Sequence, residues 1–219
     1  GPEVKRVVDQ LNSILVNKKI SDVKILSGRY LTHGQPEGLS DFLALDKGEI
    51  TRINCKGKFI WFELGSPSEG VSIWNTLGMT GSWSLQLDSH SRIQISFSDD
   101  FKIFYNDIRN FGTLSFCFNE AKLVEKLKSI GPDMLSGPPT DLEFIKICKK
   151  QKSKTLPEFL MNQKSISGVG NYVKAEALYL AKLAPLRTCD SLSEKEILLL
   201  KKSIDMVLSA SYNSGGSTI

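Results

Sequence analysis

The densest chemistry in the sequence lies between residues 160 and 176: Leu160-Met161-Asn162-Gln163-Lys164-Ser165-Ile166-Ser167-Gly168-Val169-Gly170-Asn171-Tyr172-Val173-Lys174-Ala175-Glu176. The pattern predicts a helix running into a Ser/Gly-rich turn, with a second helix opening around Val169. Glycines at 168 and 170 permit tight turning and close backbone approach by another molecule. Unsatisfied N–H groups at the start of such a helix attract anions, and Asn171 adds a side-chain amide. The surroundings agree in charge. From Lys146 to Arg187 nine Lys/Arg stand against two acids, Glu158 and Glu176, an excess of seven where the whole chain's is four. That is the footprint of a phosphate-binding face. Each feature also has an ordinary reading, since Gly-x-Gly-Asn serves inter-helix turns and lysine-rich faces are often merely solvated.

The elements that must position this stretch fall into two textures. Val4, Val7, Val8, Leu11 and Ile14/Leu15 recur at helical spacing, predicting an amphipathic helix over 3–17. Short apolar runs follow, punctuated by Gly, Pro, Ser and Asp: Val23–Leu26, Phe59–Leu64, Val71–Trp74, Ile93–Phe97 and Lys102–Tyr105. Ile93, Ile95 and Phe97 alternate with Gln94 and Ser96, the signature of a half-buried strand. Several such runs without intervening helices predict an antiparallel sandwich. Ala121–Lys128 reads as a helix, broken by Gly131-Pro132-Asp133 and the stiff turn Gly137-Pro138-Pro139. Beyond that, 140–151, 156–163, 169–183 and 193–211 read as helices, the last opened by a capping box of Ser193 and Glu196. The expected fold is therefore α+β. An N-terminal antiparallel β-sandwich with a leading helix takes residues 1–116, a linker 117–134, and a helical domain 135–219.

Composition narrows the function classes. Hydrophobic residues at 41% and charged residues at 24% suit a globular protein. No apolar run is long enough to span a bilayer and no charged-then-apolar leader opens the chain, so a soluble, intracellular protein without a membrane partner is expected. Cys55, Cys117, Cys148 and Cys189 are far apart and form no Cys-x-x-Cys, so reduced thiols and no metal site are expected.

The 160–176 stretch, continued through Tyr179, resembles the helix–two-turn–helix signature of the formamidopyrimidine-DNA glycosylase / endonuclease VIII family. Six further blocks fall in that family's order: residues 1–11, 55–64, 77–83, 106–113, 131–135 and 214–219. The resemblance covers essentially the whole chain. It implies a base-excision-repair enzyme that removes oxidised bases from duplex DNA and nicks the abasic strand, working as a monomer on DNA. By the same resemblance Asn171 grips a DNA phosphate, and Lys58 contacts the lesion phosphate and assists proton transfer. Met79, Arg109 and Phe111 match the family's intercalating triad. An enzyme acting on a base must flip it from the stack, and a thioether, a guanidinium and an aromatic ring can fill the hole left behind. Alone, Met79 and Phe111 would pass for core residues, but each stands in a Gly-containing turn, which predicts exposure. His90 falls at a phosphate-contacting histidine, and Lys152 or Lys154 at a further backbone contact. Glu176 matches a family position and equally suits a capping or structural carboxylate.

Two departures from the family pattern bear on mechanism. The family's nucleophile is an N-terminal proline amine followed by glutamate, and a secondary amine of this kind attacks the sugar carbon to give an iminium. In this sequence Pro2 is acylated by Gly1, so by register the nucleophilic Pro-Glu pair lies just before Gly1. Glu3 matches the family's second acid, near the active site. At the other end, residues 214–219 match the start of the lesion-covering loop, and the C-terminal hairpin that follows, often zinc-bound, is not in the sequence. No cofactor is expected. The leading expectation is a bifunctional glycosylase and abasic-site lyase with DNA in a basic cleft between the two halves. A non-catalytic damaged-DNA-binding module and an RNA-binding protein are the other readings. Lesion preference stays open, because the complete triad resembles the 8-oxoguanine and formamidopyrimidine branch while Asn75 and Asn110 resemble proteins that favour oxidised pyrimidines.

Overall fold

The computed structural model describes residues 1–215. They form two compact units, one of Val7–Cys55 and Phe59–Glu125, the other of Gly1–Arg6, Lys56–Lys58 and the described residues from Lys126 on. The first is a sandwich of two antiparallel four-stranded sheets. One sheet runs in the order β1 (Ile20–Ile25), β6 (Ser91–Phe97), β7 (Lys102–Asp107), β5 (Gly81–Ser84). The other runs β2 (Ile50–Lys56), β3 (Phe59–Leu64), β4 (Ser72–Thr76), β8 (Thr113–Cys117). Ile93, Ile95 and Phe97 are buried while Gln94 and Ser96 are not, the alternation read from the sequence. Phe62 of β3 meets Trp83 of β5 at 5.7 Å between ring centroids, and Trp83 meets Tyr105 of β7 at 5.3 Å, so aromatic rings fill the space between the sheets.

The leading helix α1 (Pro2–Leu15) buries Val8, Leu11 and Leu15. It closes two residues before the expected end, and Asn17 at φ 67 turns the chain into β1. Within the sandwich unit, Asn12 of α1 donates to the Ile53 carbonyl at 2.6 Å and accepts from the Ile53 amide at 2.9 Å. That side chain takes the place of a neighbouring strand for one residue of β2. Strands β2, β5 and β8 have no expectation in the sequence reading. Nor do the short helices α2 (Arg29–Thr32) and α3 (Leu39–Ala44), which stay under two turns.

After α4 (Glu120–Ser129), the helical unit contains α5 (Asp141–Lys150), α6 (Leu156–Met161), α7 (Asn171–Leu180) and α8 (Glu194–Asn213). Capping boxes open α5 at Thr140 and Glu143, α6 at Thr155 and Glu158, and α8 at Ser193 and Glu196. Phe144, Phe159, Leu160, Ile166, Val169, Leu200 and Ile204 are fully buried in one core. Several helix ends differ from expectation by one to three residues, and the opening of α7 matters most. Helix α7 opens at Asn171 rather than near Val169, because Gly168 adopts φ +88 and Gly170 is extended. No helix among the described residues is long and apolar enough to cross a membrane.

Candidate nucleic-acid interface

In the helical unit, four separate pieces of chain are knitted around the start of α7. Ser167 amide donates to the Pro132 carbonyl at 2.8 Å, and its hydroxyl to the Gly131 carbonyl at 2.9 Å. Gly168 N–H donates to Gln163 Oε1 at 3.0 Å, and Gln163 Nε2 donates back to the Val169 carbonyl at 2.9 Å. Asp133, buried, accepts from the amides of Leu135 and Ser136, and with its other oxygen from the Gly57 amide at 2.7 Å. The tight turn Lys56–Lys58 is thereby pinned to the loop before α5. Gly1 nitrogen donates to the Gly57 carbonyl at 2.5 Å, which ties the first residues to the same turn.

These bonds place Lys58 beside the start of α7. A Cβ on Gly170 would lie 3.5 Å from Lys58 Nζ. The glycine keeps the space before the helix clear. No side chain among the described residues caps α7, which leaves its first amides as donors near a lysine ammonium. Lys58 is exposed and forms no ion pair among the described residues. Protein crowding around its ammonium lowers its pKa by desolvation, and the nearby charge of Glu3 partly offsets that. Asn171, the first residue of α7, is exposed, and its Oδ1 accepts from Lys174 Nζ at 3.0 Å. A lysine, an uncapped helix start and an exposed amide are together the kind of chemistry that can receive a phosphate.

A second constellation occupies one edge of the sandwich unit. Met79 is 73% exposed and Phe111 63%, too exposed for core packing. Arg109 Nη1 lies 3.4 Å from Met79 Sδ, and its guanidinium carbon 6.0 Å from the Phe111 ring centroid. Thioether, guanidinium and ring therefore form one projecting cluster. Two turns carry it, Leu77–Thr80 after β4 and Ile108–Gly112 after β7. They back onto each other so tightly that a Cβ on Gly78 (φ +60) would meet the Gly112 amide nitrogen at 2.8 Å. Asn110, between Arg109 and Phe111, takes φ 57, and its carbonyl accepts from Arg29 Nη1 at 3.3 Å.

The remaining sequence candidates fall elsewhere. His90 is exposed before β6, and its carbonyl accepts from the Asp107 amide at 3.0 Å, which links its backbone to the second constellation. Lys152, at φ 51, and Lys154 are exposed in the turn after α5, where their carbonyls accept from Asp190 and Cys189 amides at 3.0 Å. Glu176 is half-buried on α7. Residues 216–219, the end of the matched loop start, lie outside the described residues. Asp133 and Asp107 organise the two constellations, yet sequence reasoning assigned neither a role. The sequence signal for each was its place inside a family-like block, residues 131–135 for Asp133 and 106–113 for Asp107.

Comparison with known proteins settles the relationship. The family model described as formamidopyrimidine-DNA glycosylase N-terminal domain matches residues 1–114, and the one described as its H2TH domain matches residues 130–219. The chain belongs to the formamidopyrimidine-DNA glycosylase family. Among curated members, the formamidopyrimidine-DNA glycosylase of Shouchella clausii is 30% identical over 225 residues, covering 100% of this chain and 79% of that protein. The Ligilactobacillus salivarius glycosylase is 26% identical over 224 residues, with 100% and 79% covered. Among solved structures, the MutM (Fpg) protein of Thermus thermophilus superposes with a TM-score of 0.84 at 28% identity, covering 100% of this chain and 77% of that one. A Lactococcus lactis formamidopyrimidine-DNA glycosylase, bound non-covalently to DNA containing an abasic site, gives 0.85 at 27% identity, with 99% and 82% covered. This member of the family keeps the β-rich and H2TH-type helical parts that the sequence resemblance implied.

Proposed function

We propose that this glycosylase-family chain removes oxidised bases from duplex DNA and breaks the strand at the resulting abasic site. The observation that carries the reading is the exposed Met79–Arg109–Phe111 cluster. Its mix of thioether, guanidinium and ring suits filling a vacated base position, and Met79 and Phe111 are too exposed to be core residues. The Lys58–Asn171 seat supplies a phosphate contact, and His90, Lys152 and Lys154 supply further contacts to the backbone. Lys58 assists proton transfer and Glu3, whose charge acts on it, lies with the catalytic groups. The nucleophile is the amine of a proline that precedes Gly1, as in the family. No cofactor enters this chemistry, and the protein works inside the cell, where its duplex substrate is.

The DNAs bound to Fpg/MutM proteins similar to this one carry an oxidised pyrimidine, carbocyclic 8-oxoguanine or a formamidopyrimidine lesion, so both lesion classes stay open as substrates. Binding to an abasic duplex tests the phosphate seat. Lys58→Ala and Asn171→Ala each remove one phosphate contact, so the slope of log affinity against log salt is expected to flatten by roughly one unit per variant. The loss should be the same whatever the flanking sequence. Unchanged slopes in both variants would take these residues off the DNA face.

A further inference from the structure

Side chains as solvent-accessible as Met79 and Phe111 are not held in place by burial. One buried carboxylate bonds to both turns. Asp107, only 1% exposed at the end of β7, accepts from Thr80 Oγ1 at 2.5 Å and from the Arg109 amide at 3.2 Å through Oδ1. Through Oδ2 it accepts from the Gly112 amide at 2.7 Å. Thr80 belongs to the Met79 turn, and Arg109 and Gly112 flank Phe111 in the other. Thr80 Oγ1 also accepts from the Arg109 amide at 3.0 Å, which closes the ring of bonds.

A buried carboxylate ordinarily needs a cation, because taking its charge out of water is costly. Asp107 forms no ion pair among the described residues. Arg92, the nearest bonded guanidinium, donates to the Asp107 backbone carbonyl rather than to the carboxylate. The charge is instead met by three neutral donors from two turns, and only an acceptor-only group can serve all three. Asparagine there would turn an NH2 toward at least one of them. Such a site spends burial on geometry, and the geometry it fixes is that of Met79, Arg109 and Phe111.

We propose that Asp107, with Thr80, is a positioning residue for base extrusion: one carboxylate locks both turns so that the void-filling side chains are assembled before DNA arrives. This rests on the reading of the cluster as the void filler. Preassembly removes an ordering cost from the extrusion step, where misplacement by about 1 Å costs on the order of a hundredfold in rate.

The test compares Asp107→Asn and Thr80→Val with the unsubstituted protein, both with Pro-Glu ahead of Gly1, under single-turnover conditions. Two duplexes are used, one with an oxidised base opposite its normal partner and one with the same lesion opposite a base-free analogue. The second lesion has no pairing to break, so extrusion is less demanding. Excision of the paired lesion is expected to slow by about tenfold to a hundredfold, and the defect to shrink several-fold on the unpaired one. Fluorescence of 2-aminopurine beside the lesion should show the insertion step slowed by the same factor. Equal losses on both duplexes would mean a merely structural role and overturn the proposal, as would full activity of both variants. Thr80→Val removes one donor and leaves the carboxylate in place, so it carries the test if Asp107→Asn does not fold. Met79→Ala and Phe111→Ala run in parallel separate the two ideas. A pairing-dependent defect in these, but not in Asp107→Asn or Thr80→Val, defeats only the positioning role. No such defect in Met79→Ala and Phe111→Ala defeats the void-filling reading itself.

Discussion

Alanine at Met79 or Phe111 is expected to slow release of a paired oxidised base on the order of a hundredfold, with a much smaller loss in cleavage at a pre-formed abasic site. Extruding a paired base costs a few kcal/mol, and failure to refill the stack returns that cost to the barrier, where each 1.4 kcal/mol is about tenfold. An abasic sugar has no base to extract. Phe111→Ala should in addition slow lesion search, by removing the wedge between base steps. Arg109→Ala should in addition blur the preference for the base opposite the lesion, because the guanidinium is the group able to bond its edge. The exposures of 73% and 63% for Met79 and Phe111 exclude the competing explanation of lost core packing. Buried residues of this size would cost about 2–5 kcal/mol on truncation, whereas exposed ones usually stay within about 0.5 kcal/mol. Thermal melting beside the two activity assays decides it. Native melting with selective loss of base release fits the structure, and lowered melting with parallel loss of both activities does not.

The second large effect is expected at Gly57. Its φ of +63 suits glycine, and a Cβ there would lie 2.6 Å from Ser167 Cβ, which is itself held by bonds to Gly131 and Pro132. Gly57→Ala therefore adds left-handed strain to a clash with an immobilised neighbour, for a loss of roughly 2–5 kcal/mol in urea unfolding. Relief requires the Lys56–Lys58 turn to move, so DNA binding should weaken and its salt slope flatten as for Lys58→Ala. Gly34 is the control. It has φ +98 with nothing within 4 Å of its Cβ, so Gly34→Ala reports strain alone, about 1 kcal/mol. Equal losses at the two positions would show that the packing against Ser167 contributes nothing.

Much of the fold was legible because it rests on local pattern. Strand β3 and the alternating β6 stand out by aromatic and β-branched content. Helix α8 announces itself through Ser193 and Glu196. What escaped depends on partners distant in sequence. Strand β2 is completed by Asn12, 41 residues away, and β5 and β8 open beside glycines whose role is close packing of two turns. The same holds for the candidate site. Met79, Arg109, Phe111, Lys58 and Asn171 could be named because resemblance marked them, and their turns suggested exposure. Asp107 and Asp133 could not, since their bonds run to Thr80 and Gly57 and no spacing rule connects those positions. The opening of α7 was placed two residues early because the left-handed turn at Gly168 takes a register that helix propensity does not encode.

Covalent trapping tests the central claim most directly. Borohydride reduces an iminium between a protein amine and the opened sugar to a stable adduct, so the chain carrying Pro-Glu ahead of Gly1 can be offered a duplex with a single oxidised base and an undamaged duplex. The expected result is an adduct and base release on the damaged duplex, and neither on the undamaged one. The 219-residue polypeptide beginning at Gly1, in which Pro2 nitrogen is an amide, is expected to give no adduct. Salt-sensitive binding to an abasic duplex with no base release and no adduct from the Pro-Glu form would contradict the enzymatic reading and leave a damaged-DNA-binding module.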